Sequence, residues 1–218
     1  MPLVQTRLKK MINLGALKLK DNKITDIEPL LRELHIFKLK SLNLSNNQII
    51  HVGSLRRLGQ LATCKLTTLL LSDNQIVNID ALGSLISLNY LDISNNNITD
   101  INPLGRLTNL TQLAISNNQI SNVDVLSQLV NLEELEIYKQ DTDCDFDLLV
   151  ASVFVSNIEN GKQITDIIYE GEQDQLPWKK ISDKIKTITS EKINWMNIKE
   201  RNQNSELPLA IICDLKPI

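Results

Sequence analysis

The chain has 218 residues, with 23 lysines and arginines against 26 aspartates and glutamates and a formal net charge of −3. That balance argues against a dedicated nucleic-acid binder, which carries a basic excess, and no run of about 18 apolar residues is present to span a membrane. Two histidines and three scattered cysteines leave little for metal or nucleophilic chemistry, so the composition points to binding rather than catalysis, with no cofactor.

Charge and leucine are unevenly spread. Residues 1–80 carry a net charge of +6, residues 81–147 a net −8 and residues 148–218 a net −1. Thirty of the 36 leucines precede residue 141, whereas both tryptophans, Trp178 and Trp195, follow it. The shift divides the chain into 1–140 and 141–218.

The first residues, Met-Pro-Leu-Val-Gln-Thr-Arg, contain no apolar segment followed by a cleavage site, so no signal peptide is expected. A frame then recurs: Leu14-Leu17-Leu19-Asn22-Ile24, Leu39-Leu42-Leu44-Asn47-Ile49, Leu66-Leu69-Leu71-Asn74-Ile76, Leu88-Leu91-Ile93-Asn96-Ile98 and Leu110-Leu113-Ile115-Asn118-Ile120. A sixth, worn copy, Leu132-Leu135-Ile137, has Gln140 where asparagine is expected. The starts at 14, 39, 66, 88, 110 and 132 are spaced by 25, 27, 22, 22 and 22 residues. A fixed period of this length is the signature of stacked coils.

The frame has a direct physical reading. In Leu-x-x-Leu-x-Leu the last two leucines alternate with outward residues, the pattern of a short strand with one buried face. The asparagine sits at the turn leaving that strand. Its amide offers two donors and an acceptor, enough to serve backbone groups of its own coil and of the neighbouring one. Asn22, Asn47, Asn74, Asn96 and Asn118 are therefore expected to form a ladder along the stack. The second half of each unit steps by three, as in Ile98, Ile101, Leu104 and Leu107, which suits a 3₁₀ turn or an extended segment. The longer first two units have room for one helical turn there. Leu8-x-x-Met11-x-x-Leu14 matches the back half of a unit whose strand half is missing. A stack must hide the end of its core, and residues 1–13, with Leu3 and Val4, are expected to fold over it; a second chain or a longer natural protein would serve equally.

These motifs, with Ile24-Thr-Asp-Ile27-Glu-Pro-Leu30, Ile98-Thr-Asp-Ile101-Asn-Pro-Leu104 and Leu107-Thr-Asn-Leu110, resemble the leucine-rich repeat family. More narrowly, they are similar to the 22-residue subclass shared by the SDS22-like phosphatase regulators and the bacterial internalins. The resemblance covers about residues 8–140. It implies an α/β fold: a right-handed solenoid with a parallel sheet on its concave face and 3₁₀ or extended turns on its convex face. It also implies that the concave face binds protein.

Strand alternation assigns three outward rows. The first is Ala16, Ser41, Thr68, Tyr90, Gln112 and Glu134; the second is Lys18, Asn43, Leu70, Asp92, Ala114 and Glu136; the third is Lys20, Ser45, Ser72, Ser94, Ser116 and Tyr138. The face runs from basic, through small and hydroxyl groups, to acidic. Tyrosine anchors ringed by polar groups favour interfaces, so the expected contact patch is Leu70, Tyr90, Asp92, Gln112, Glu134, Glu136 and Tyr138. The acidic end suits a basic segment of a partner protein. A plainly solvated acidic face is the alternative.

Other chemistry fits poorly. Asp141, Asp143 and Asp145 copy the start of a calcium loop, but Phe146 stands where its glycine belongs and Ser152 where its glutamate belongs. The acids better suit the start of a helix near Asp147. Gly161-Lys162 is not a phosphate loop, since Ser156 replaces its first glycine. Cys64, Cys144 and Cys213 lack metal-like spacing, and with no signal peptide they suggest free thiols in a reducing, cytoplasmic setting. A nucleophile pairing Cys64 with His51 or His35 has nothing to orient its base.

Beyond the repeats, Phe146, Leu149, Val150, Val153, Phe154 and Ile158 predict an amphipathic helix capping the last coil, ended by Gly161. Ile164–Tyr169 reads as a strand, Trp178, Ile181, Ile185 and Ile188 as a second helix, and Leu207–Cys213 as another strand. A C-terminal α+β cap or extension is the expectation for 141–218. The chain as a whole reads as a non-catalytic protein-interaction scaffold, such as a regulatory subunit of a larger complex. The competing readings are an enzyme or effector seated in 141–218, and an exported internalin-like adhesion module.

Overall fold

The computed structural model describes residues 14–33, 38–61 and 65–137, together with the backbone of two later strands at 166–168 and 210–212. Six three-residue strands recur at the frame positions: β1 (Ala16–Lys18), β2 (Ser41–Asn43), β3 (Thr68–Leu70), β4 (Tyr90–Asp92), β5 (Gln112–Ala114) and β6 (Glu134–Glu136). They pair in parallel and in sequence order, so that Leu17, Leu42, Leu69, Leu91, Leu113 and Leu135 lie side by side. From Leu42 to Leu135 this middle row is buried. The leucines and isoleucines that follow the strands, the isoleucines after the asparagines and the apolar residues of the return turns complete one continuous core. A parallel pair needs a crossover between its strands, and each coil supplies one within its repeat.

The crossover follows the step of three. Leu82, Leu104 and Leu126 each donate a backbone N–H to the carbonyl three residues earlier, at 2.9 Å, and open or extend the 3₁₀ turns Leu82–Ser84, Asn102–Arg106 and Asp124–Gln128. Before each turn a side chain bends the chain: Oδ1 of Asn78, Asp100 and Asn122 accepts the N–H two residues on, at 2.8–2.9 Å. This local bond competes with regular structure and sets the turn. The two longer coils carry helix at this place, α1 (Glu28–Glu33) and α2 (Arg56–Gln60), the second preceded by a 3₁₀ turn at Gly53–Leu55.

Two strands continue the same sheet. β7 (Asp166–Ile168) pairs in parallel with β6, and β8 (Ala210–Ile212) pairs antiparallel with β7. They fall within the strands expected at Ile164–Tyr169 and Leu207–Cys213. The expected cap at 1–13, the helices around 146–158 and 178–188, Trp178, Trp195, Tyr138, His35, the aspartates at 141, 143 and 145, and all three cysteines lie outside the described residues.

One expectation is corrected. The serines of the third outward row are not a solvated surface: Ser45, Ser94 and Ser116 are buried and Ser72 is half-buried. The strands end two residues before them, at Asn43, Leu70, Asp92 and Ala114. Asn43 and Asp92 turn their Oδ1 atoms back to accept the N–H groups of Ser45 and Ser94 at 2.9 and 3.0 Å. The Ser72 hydroxyl bonds to that of Ser45 at 3.1 Å, coil to coil.

Candidate partner-binding face

The asparagines are built into the stack. In Asn47, Asn74, Asn96 and Asn118 the Nδ2 group donates to carbonyls of its own coil: Leu44, Leu71, Ile93 and Ile115 at 2.9–3.0 Å. The same group reaches the preceding coil, at Leu19, Leu44, Leu71 and Ile93, at 3.0–3.1 Å. Each Oδ1 accepts a backbone N–H from that preceding coil, from Ile24, Ile49, Ile76 and Ile98, at 3.0–3.1 Å. All four side chains are buried. Asn22 is exposed and donates within its own coil, to Leu19 and Lys20.

A second row escaped the sequence reading. Asp21, Asn46, Asp73, Asn95 and Asn117, each just before a ladder asparagine, hold φ between 52° and 61°. Asparagine and aspartate tolerate this left-handed conformation better than other non-glycine residues. The signal was visible as an Asp-Asn or Asn-Asn pair in every full repeat. Their side chains also link neighbouring coils: Asn46 donates to Asp21 and Asn117 to Asn95, both at 2.7 Å.

The outward face of the six three-residue strands has two rows. The register sets Tyr90 beside Gln112 and Gln112 beside Glu134; in the second row Leu70 stands beside Asp92, and Ala114 between Asp92 and Glu136. Gln112 donates its Nε2 to Glu134 Oε2 at 2.6 Å. Glu134 is exposed, and Leu70, Tyr90, Asp92, Gln112 and Glu136 are half-buried. Ala114 is covered. Burial raises the Tyr90 phenol above its ordinary range, and the carboxylates of Asp92, Glu136 and Glu134 push it further the same way. At the opposite end Lys18 and Lys20 are exposed.

The flank just before the strands is tied down. Thr67 and Thr111 bond through their hydroxyls to the carbonyls of Lys40 and Asn89, and Asn89 donates to the carbonyl of Asn109. Among the described residues no group of three or more His, Cys, Asp and Glu side chains is placed to hold a metal ion. Also among them, no helix is long and apolar enough to cross a membrane. His51 is exposed on a connection.

Comparisons with known proteins converge on one family. Models of leucine-rich repeats match residues 38–58, 64–106 and 106–127. Internalin C2 of Listeria monocytogenes has a similar structure, with a TM-score of 0.50 at 33% identity, over 63% of this chain and 67% of that one. A leucine-rich repeat protein of Leptospira interrogans is similar with a TM-score of 0.59 at 25% identity, over 69% of this chain and 38% of that one. Internalin F of Listeria monocytogenes shares the fold at 22% identity, with a TM-score of 0.50, over 76% of this chain and 48% of that one. The chain thus spans about two thirds of the first relative and less than half of the other two. No curated protein matches significantly.

Proposed function

The chain belongs to the leucine-rich repeat proteins, and from that premise we propose that it is a non-catalytic scaffold that binds another protein on the concave face of β1–β6. The observation that carries this reading is the register. It sets Tyr90, Asp92, Gln112, Glu134 and Glu136 on adjacent strands of one outward face. An aromatic anchor among polar groups is the composition that interfaces favour. The acids suit a basic segment of the partner, and such pairing speeds encounter more than it tightens binding. In this reading residues 1–140 form the binding unit and 141–218 a capping extension. The protein acts as a regulatory subunit, in the manner of the SDS22-like proteins, in the reducing cytoplasm.

The test is affinity purification from the native cell followed by mass spectrometry. A stoichiometric companion is expected, and it should be lost when Glu134→Lys and Glu136→Lys are combined. Purification of the chain with no such companion sinks the reading.

The 33% identity to internalin C2 favours a second reading, an exported adhesion module of internalin type. Fractionation of the native cell separates the two. The first reading expects the chain with the cytoplasmic fraction and the second expects it at the cell surface or in the medium.

A further inference from the structure

The strands themselves set the shape of the free face. Two rows run across it, such as those of Tyr90 and Asp92, separated by about 7 Å along a strand. Across the strands the face is much longer. Six strands at about 4.8 Å spacing place Lys18 and Glu136 about 24 Å apart. A strip of that length matches one extended chain of about seven residues.

The strip also has a direction. Lys18 stands at its first strand; Ser41, Asn43, Thr68 and Leu70 are uncharged; Asp92, Glu134 and Glu136 occupy the last three. Tyr90, half-buried, stands where the neutral stretch meets the acids.

We propose that the concave face takes a single extended peptide segment laid across the strands, its cationic end over Asp92, Glu134 and Glu136, its anionic end toward Lys18, and its middle packed on Tyr90 and Leu70. This rests on the scaffold reading and specifies the partner: a linear segment with separated charges, held in one orientation. The reversed segment would set like charges against each other at both ends, which is unfavourable. Attraction at carboxylates that are exposed, as in Glu134, or half-buried, as in Asp92 and Glu136, is screened by salt, so affinity falls as ionic strength rises.

The experiment pans a phage-displayed library of random linear peptides, about eight residues long, against the immobilised full chain. Enriched sequences are expected to gather lysine or arginine at one end and aspartate or glutamate at the other. One such peptide, synthesised with a fluorescent label, is then measured by anisotropy. Binding should weaken about tenfold or more on Tyr90→Ala and on Glu134→Gln combined with Glu136→Gln. Lys18→Glu should weaken the full peptide but not one lacking its acidic end. Arg106→Ala, in the return turn, should change nothing. Circular dichroism identifies any variant that fails to fold, and the Glu134→Gln single variant then serves in its place. Enrichment without the charge pattern, binding indifferent to these variants, or no enrichment at all overturns the inference. If a companion protein is still captured from the native cell, the scaffold reading survives with a folded partner surface in place of a segment.

Discussion

Asn96 accepts the backbone N–H of Ile76, 20 residues earlier in the chain, at 3.0 Å. The same side chain donates to the carbonyls of Leu71 and Ile93 at 3.1 and 3.0 Å. One buried amide thus serves the backbone of two coils where their turns offer no sheet partner. The bond set recurs at Asn47, Asn74 and Asn118, so the ladder joins each coil to the one before it.

Asn96→Ala should therefore be costly. It leaves the Ile76 N–H and a turn carbonyl buried without partners, and a group so orphaned costs about 1–3 kcal/mol. Asn22→Ala, at an exposed position whose bonds among the described residues stay inside its own coil, should cost less than about 1 kcal/mol. Urea unfolding followed by circular dichroism ranks the two. Equal losses would deny the ladder its coil-joining role.

Close packing of the return turns predicts a second effect. A methyl group at Gly83 would sit 2.7 Å from the carbonyl oxygen of Pro103 in the next coil, whereas one at Gly53 meets nothing within 4 Å. Overpacking against backbone costs about 1–3 kcal/mol, so Gly83→Ala should lower the thermal midpoint and Gly53→Ala should barely move it. Matching melting curves for both variants would contradict the close approach.

Asn95 tests the left-handed row. Its φ of 54° disfavours a β-branched side chain, and the left-handed conformation costs ordinary residues about 1–2 kcal/mol. Asn95→Val should destabilise by that order or somewhat more, since the bond from Asn117 is lost as well. Asn95→Gly should lose less, because glycine adopts the conformation freely. Thermal melts of the pair give the order directly.

The Tyr90 phenol predicts the response to alkali. Its ionisation is shifted upward in the folded protein, first by burial and then by Asp92, Glu136 and Glu134. Above the ordinary tyrosine pKa the folded state then holds a proton that the unfolded chain has released. By linkage, stability falls as pH rises past about 10 toward the folded value. Below that range this contribution is fully present. Tyr90→Phe should remove this part of the alkaline slope. Glu134→Gln with Glu136→Gln should bring the phenol partway back toward its ordinary value, read as tyrosinate absorbance against the Tyr90→Phe background. An unchanged titration in the charge variant would separate Tyr90 from the acids.

Much of this architecture is local and so could be read residue by residue. The alternation around Leu42, Leu69 and Leu91 specifies a strand with one buried face, because successive side chains on a strand point to opposite sides. The steps of three from Ile98 to Leu107 specify a tight return for the same kind of reason. The period of the asparagines places them one above another, and the outward positions at Tyr90, Asp92, Glu134 and Glu136 follow from the strands alone.

What the chain's order could not supply is where one coil covers another. Ser45, Ser94 and Ser116 continue the alternation in sequence, yet they lie buried in the stack. The tight fit at Gly83, the continuation of the sheet into β7 and β8, and the pairing of Glu134 with Asp166 belong to the same class. Periodicity dictates which way a side chain points from its own backbone. Whether water or another segment meets it there depends on residues more than twenty places away, and only the stacked structure brings those together.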